Sequence, residues 1–87
     1  MLVRYIQGED KYVKIRIHSP DNEPFIIERA QYELLRYNQI VVQGPAVITE
    51  HCISAKLSLN EKGHYTLIFT YYVADTVRKV KIDIEVV

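Results

Sequence analysis

Three histidines, His18, His51 and His64, and a single cysteine, Cys52, are the side chains of this 87-residue chain best suited to hold a metal ion or to act as a nucleophile. Zinc sites gather several such ligands, usually as closely spaced pairs of Cys or His. Here the nearest two, His51 and Cys52, are adjacent, and adjacent residues of a strand point to opposite faces. The spacing therefore predicts no metal site. A Cys–His nucleophile pair would also need an orienting third group and an oxyanion site, and the sequence offers neither. Glu50 precedes His51 and Glu61 precedes Lys62, so carboxylates are present but no convergent pair is expected for acid–base work. Gly8, Gly44 and Gly63 stand singly where turns are expected, and no glycine-rich loop exists to cradle a phosphate. The expectation is a protein that is not an enzyme and carries no cofactor.

What remains is recognition by surface. Eleven basic and eleven acidic residues cancel, and the signs are intermixed along the chain. The one-sided positive field of a nucleic-acid binder is missing. The densest basic run, Arg78-Lys79 with Lys81, is followed by Asp83 and Glu85 and reads as the solvated face of a strand. Seven tyrosines would form a stacking platform for single strands only beside a basic groove. The opening MLVRYIQGED has no apolar signal core, and no apolar run approaches the length of a bilayer span, so a soluble chain, unprocessed from Met1 and without a membrane partner, is expected. A lone cysteine rules out an internal disulfide and suits a reducing compartment.

The length accommodates one domain, residues 1–87, able to bury roughly 60% of the surface exposed by its unfolded chain. Abundant Val, Ile and Tyr favour pleated, half-buried strands. Alternation agrees: Val13, Ile15 and Ile17 oppose Lys14, Arg16 and His18 in KYVKIRIH, and Ile53, Ala55, Leu57 and Leu59 oppose Ser54, Lys56 and Ser58. Between them, PFIIERAQYELLRYN admits two readings. Ile27, Ala30 and Leu34 share the side of a helix, whereas Ala30, Tyr32 and Leu34 alternate as in a strand. The strand is the reading adopted here, since the flanking elements are all strands. QIVVQ then reaches a Gly44-Pro45 turn. In HYTLIFTYYVADTVRKVKIDIEVV, Tyr65, Leu67, Phe69, Tyr71 and Val73 share one face, and Val80, Ile82, Ile84 and Val86 repeat it after the turn. Such a hairpin needs a second layer over its apolar face. Turns recurring through about seven short strands predict an all-β, antiparallel β-sandwich.

One spacing is more specific. Gly63-His64-Tyr65 follows a tight turn and opens a strand, the layout of the tyrosine corner of immunoglobulin-like domains, in which the Tyr lies two residues before the core Cys. Leu67 holds that Cys position. Together with the Gln7-Gly8-Glu9-Asp10 turn, Gly44 between two strands, Ile53-Ser54-Ala55 and the basic residues after the last turn, this layout resembles the small immunoglobulin-like domains of tailed-bacteriophage and prophage structural proteins, including baseplate N-terminal domains. The resemblance runs from Leu2 to Val87. It implies a non-enzymatic structural or adaptor module of a virion head, neck or tail, assembled in the bacterial host cytoplasm in several copies, with other virion proteins or copies of itself as partners. A small binding protein that inhibits a host protein is the alternative.

The partner surface is expected on the outer face of the penultimate strand, where His64, Thr66, Ile68, Thr70 and Tyr72 fall. Two large apolar side chains, Ile68 and Tyr72, stand there on the side away from the core, an arrangement that suits a protein interface. The N-terminal strand or the long loop is the intramolecular alternative for covering them.

Overall fold

Each alternating run of the sequence becomes a strand, and every connection between strands is short except the one leading out of the second. The computed structural model describes residues 2–19 and 24–87. Eight strands occur there: β1 (Leu2–Tyr5), β2 (Asp10–Arg16), β3 (Ile27–Arg36), β4 (Gln39–Pro45), β5 (Val47–Thr49), β6 (Cys52–Ser58), β7 (Gly63–Val73) and β8 (Thr76–Val86). They form a five-stranded sheet in the order β1-β8-β7-β3-β4 and a three-stranded sheet in the order β2-β6-β5. No helix of the described residues is long and apolar enough to cross a membrane.

The inward residues of both sheets make one core. Tyr5, Ile27, Ala30, Leu34, Tyr65, Leu67, Phe69, Tyr71, Ile82, Ile84 and Val86 come from the larger sheet, and Val13, Ile15, Ile53, Ala55 and Leu57 from the smaller, with Leu59 just beyond it. Each large aliphatic or aromatic side chain buried this way contributes about 1.5–3 kcal/mol before entropy is counted. The face assignments expected for β2, β6 and the β7–β8 hairpin hold throughout, with Ile17, Val73 and Val80 only half-buried at its margins.

Three features differ from the sequence reading. First, the strands number eight rather than about seven, and one pairing is parallel: Leu2, Val3, Arg4 and Tyr5 lie opposite Asp83, Ile84, Glu85 and Val86. The reason is the turn at Ile6–Glu9, where the Glu9 amide donates to the Ile6 carbonyl at 2.9 Å and Gly8 takes a φ of 89°. A positive φ at the third residue of the turn belongs to type II and favours glycine there. Instead of folding β2 back onto β1 as a hairpin, this turn carries the chain to the other sheet and leaves β1 on β8.

Second, Gly44-Pro45 is not a turn but the end of β4. Gly44 faces Tyr32, whose ring would lie 3.6 Å from any Cβ built on it. The change of sheet comes one residue later, at Ala46, whose amide donates to the Ala30 carbonyl at 3.0 Å. Third, the helix-like spacing of Ile27, Ala30 and Leu34 has a β explanation. The register of β3 against β7 shifts between Ile27 and Arg29. One extra residue in a bulge puts Ile27 and Ala30, three apart, on the same face. Beyond the bulge, Ala30, Tyr32 and Leu34 alternate inward as expected of the strand; Phe25 and Ile26 precede it.

Candidate functional site

β7 runs up the middle of the five-stranded sheet, and strict alternation from Tyr65 to Tyr71 sends its even-numbered residues outward. The registers set their neighbours. Thr66 lies between Asp83 and Leu35, Ile68 between Lys81 and Glu33, Thr70 between Lys79 and Gln31, and Tyr72 between Val77 and Arg29. Ile40 of β4 extends the Leu35 row, and Leu2 of β1 extends the Asp83 row. The outer face is thus apolar islands in a charged lattice.

Neighbouring side chains partly cover the middle strand. Thr66, Ile68 and Tyr72 are half-buried and His64 is exposed, whereas Thr70 is only 4% exposed. The Arg29 guanidinium lies 4.2 Å from the centre of the Tyr72 ring, a cation–π contact. His64 Nε2 sits 3.5 Å from Asp83. The N-terminal strand does not cover this face; it lies in the plane of the sheet, at its edge.

More apolar surface is open along the β4–β5 segment, which sequence reasoning treated only as connecting strands. Ile40, Val41 and Val42 are 50%, 56% and 39% exposed, and Val47 and Ile48 are 55% and 36% exposed. The signal was present in the sequence as eleven consecutive residues, Gln39 to Thr49, without a charge.

The tie expected of a tyrosine corner is present. The Tyr65 hydroxyl donates to the Glu61 carbonyl at 3.0 Å. An unexpected partner completes it: Arg36, from the end of β3, donates to the Tyr65 hydroxyl at 3.1 Å, to the Lys62 carbonyl at 2.9 Å and to the Glu61 carboxylate at 2.5 Å. Gly63 makes room for this, because its φ is 137° and a Cβ there would come within 3.1 Å of the guanidinium. A second tyrosine, Tyr5, is wholly buried and donates to the Lys11 carbonyl at 3.0 Å. Burial, reinforced by the negative charges of Glu9 and then Asp10, pushes its phenol up to about 12.

The residues best suited to catalysis or metal binding serve other contacts. His51 stacks on Phe25 with ring centroids 4.3 Å apart, and Cys52 is a half-buried free thiol at the start of β6. Among the described residues no three His, Cys, Asp or Glu side chains converge. His18 lines a cleft of about 610 Å³ with Ile17, Phe25, Tyr71, Val73 and Arg78, where the connection out of β2 meets the β7–β8 turn. Its walls are largely apolar, with one charge of each sign, Arg78 and Glu28, in the lining.

No protein-family model, curated protein or solved structure matches the chain.

Proposed function

We propose that this chain is an immunoglobulin-like, non-enzymatic interaction module that works by holding other proteins together. Its strand order supports the fold. β3, β7 and β8 correspond to strands C, F and G of such domains, β4 to C′, and β2, β6 and β5 to B, E and D. The Tyr65 tie at the start of β7 agrees with that correspondence. Packing of β1 on β8 puts the first strand in the same sheet as G rather than beside B.

The observation that carries the functional reading is the outer face of the five-stranded sheet, with Ile68 and Tyr72 on its central strand and Leu2, Ile40 and Val77 exposed around them. Aromatic and aliphatic anchors ringed by Lys79, Lys81, Glu33 and Asp83 have the make-up of an interface with an apolar centre and a polar rim. Thr66 adds a half-buried polar surface beside Ile68, whereas Thr70, between the anchors, is covered by its neighbours and contributes little contact area. With the resemblance to phage structural domains, this face suits a multi-copy virion component that contacts other virion proteins.

Ile68→Asp combined with Tyr72→Asp tests the proposal. The double variant is expected to keep the circular dichroism of the parent while disappearing from sedimented particles. A folded double variant found in particles at the normal copy number would eliminate this face; parent protein that never sediments with particles would eliminate the virion role.

A further inference from the structure

A strand at the edge of a sheet offers unpaired amides and carbonyls to any other strand, and proteins commonly protect such edges with charge or brevity. This sandwich has four edges: β1 and β4 on one sheet, β2 and β5 on the other. Three are guarded. β1 has four residues and β5 has three, and β2 carries Asp10, Lys11, Lys14 and Arg16 among its seven. β4 is as long as β2 and has no charged residue at all. Among the described residues it pairs only with β3, and Ile40, Val41 and Val42 are all exposed.

We propose that β4 is a self-association edge: two copies of this chain pair their β4 strands antiparallel about a two-fold axis, joining their five-stranded sheets into one continuous sheet. The strand's own sequence names the occupant. Gln39-Ile40-Val41-Val42-Gln43 is chemically palindromic, so a two-fold through Val41 sets glutamine opposite glutamine and aliphatic opposite aliphatic. An isologous contact requires just this self-complementarity. Val41 is also the residue left over where the β3–β4 register shifts, since Leu34 pairs with Val42 and Leu35 with Ile40. The extra residue of a bulge is unpaired within its own sheet and adds twist there, one of the ways an edge limits pairing, so the paired stretch is short and centres on Val41. In this register Pro45, which has no amide to give, falls beyond the paired segment and comes level with Tyr37 of the other copy, a tyrosine 85% exposed. The formal net charge of zero leaves no long-range repulsion between copies.

This interface borders the Ile68–Tyr72 face at Ile40 but uses neither of its anchors, and the two fail separately: Ile68→Asp with Tyr72→Asp is expected to leave the dimer intact. Sedimentation equilibrium of the full chain should show a monomer–dimer equilibrium. Val41→Lys puts two like charges opposite each other at the axis and should weaken the dimer about two- to fivefold, whereas Tyr12→Lys, at an exposed position of β2, should leave it unchanged. Mixing Val41→Lys with Val41→Glu should restore a mixed dimer. In a Cys52→Ser background, Val41→Cys should oxidise to a covalent dimer and Tyr12→Cys should not, which keeps the test open if a charged variant fails to fold. A parent chain that stays monomeric at its highest soluble concentration, a Val41→Lys dimer as tight as the parent, or cross-linking at position 12 in place of 41 would each overturn the proposal.

Discussion

The Tyr65 hydroxyl both donates to the Glu61 carbonyl and accepts from Arg36, so its removal strips two partners at once. Tyr65→Phe should cost about 1–2 kcal/mol in urea unfolding, less than the sum for one neutral and one charge-assisted bond because Arg36 keeps its contacts with Glu61 and Lys62. Gly63→Ala is expected to cost at least as much, because the new methyl meets a left-handed φ and the guanidinium together. The Gly-x-Tyr spacing made the corner legible in the sequence, but not its second partner. Arg36 arrives from another strand, and no local pattern marks an arginine whose targets include two backbone or hydroxyl oxygens. Tyr5 makes a separate prediction. Its phenol titrates near 10 when unfolded and about 12 when folded, so the folded state holds the proton longer. That contribution is complete below pH 10 and is lost as the pH rises toward 12. Thermal melts should show a steeper alkaline loss of stability in the parent than in Tyr5→Phe, and equal slopes would mean that Tyr5 ionises as freely folded as unfolded.

The hairpins are two-residue loops built without glycine. Ala74 turns β7 into β8 with a φ of 53°, Glu50 turns β5 into β6 with 55°, and Tyr37 and Asn38 turn β3 into β4 with 54° and 61°. The positive φ of a primed turn fits the twist of its strands, yet favours Gly, Asn or Asp over other residues. Ala74→Gly should therefore stabilise by about 0.5–1 kcal/mol, read as a rise in melting temperature, since the relief of the left-handed strain outweighs the added freedom of the unfolded chain. The Ala74-Asp75 break was visible because two long alternating runs flank it. Gly44-Pro45 misled for the opposite reason: turn-forming residue types occur there, but the chain remains extended, with proline at the sheet edge where a missing amide is tolerated. The bulge near Ile27 likewise imitated a helical period, a pattern that only the pairing partner β7 could resolve.

Both sheets draw on one core, so neither can bury its apolar inner face without the other. Leu67, wholly buried at the centre of β7, should cost about 2–5 kcal/mol when replaced by alanine. Tyrosine fluorescence and far-ultraviolet dichroism should report one shared unfolding midpoint, whereas separate midpoints would show that the sheets come apart independently. The parallel pairing of β1 with β8 bears on how the molecule responds to pulling. Because the two strands run the same way, tension applied at the two chain ends drags them in opposite directions along their length. The ladder, continued by the amides of Gln7 and Val87, is then loaded in shear, and its bonds must yield together rather than peel one by one. An antiparallel first strand in that position would unzip from its end. A single-molecule pulling experiment should accordingly record one abrupt high-force rupture, and Val3→Pro, which deletes an amide from this ladder, should lower the rupture force while a gradual low-force extension in the parent would contradict the shear geometry.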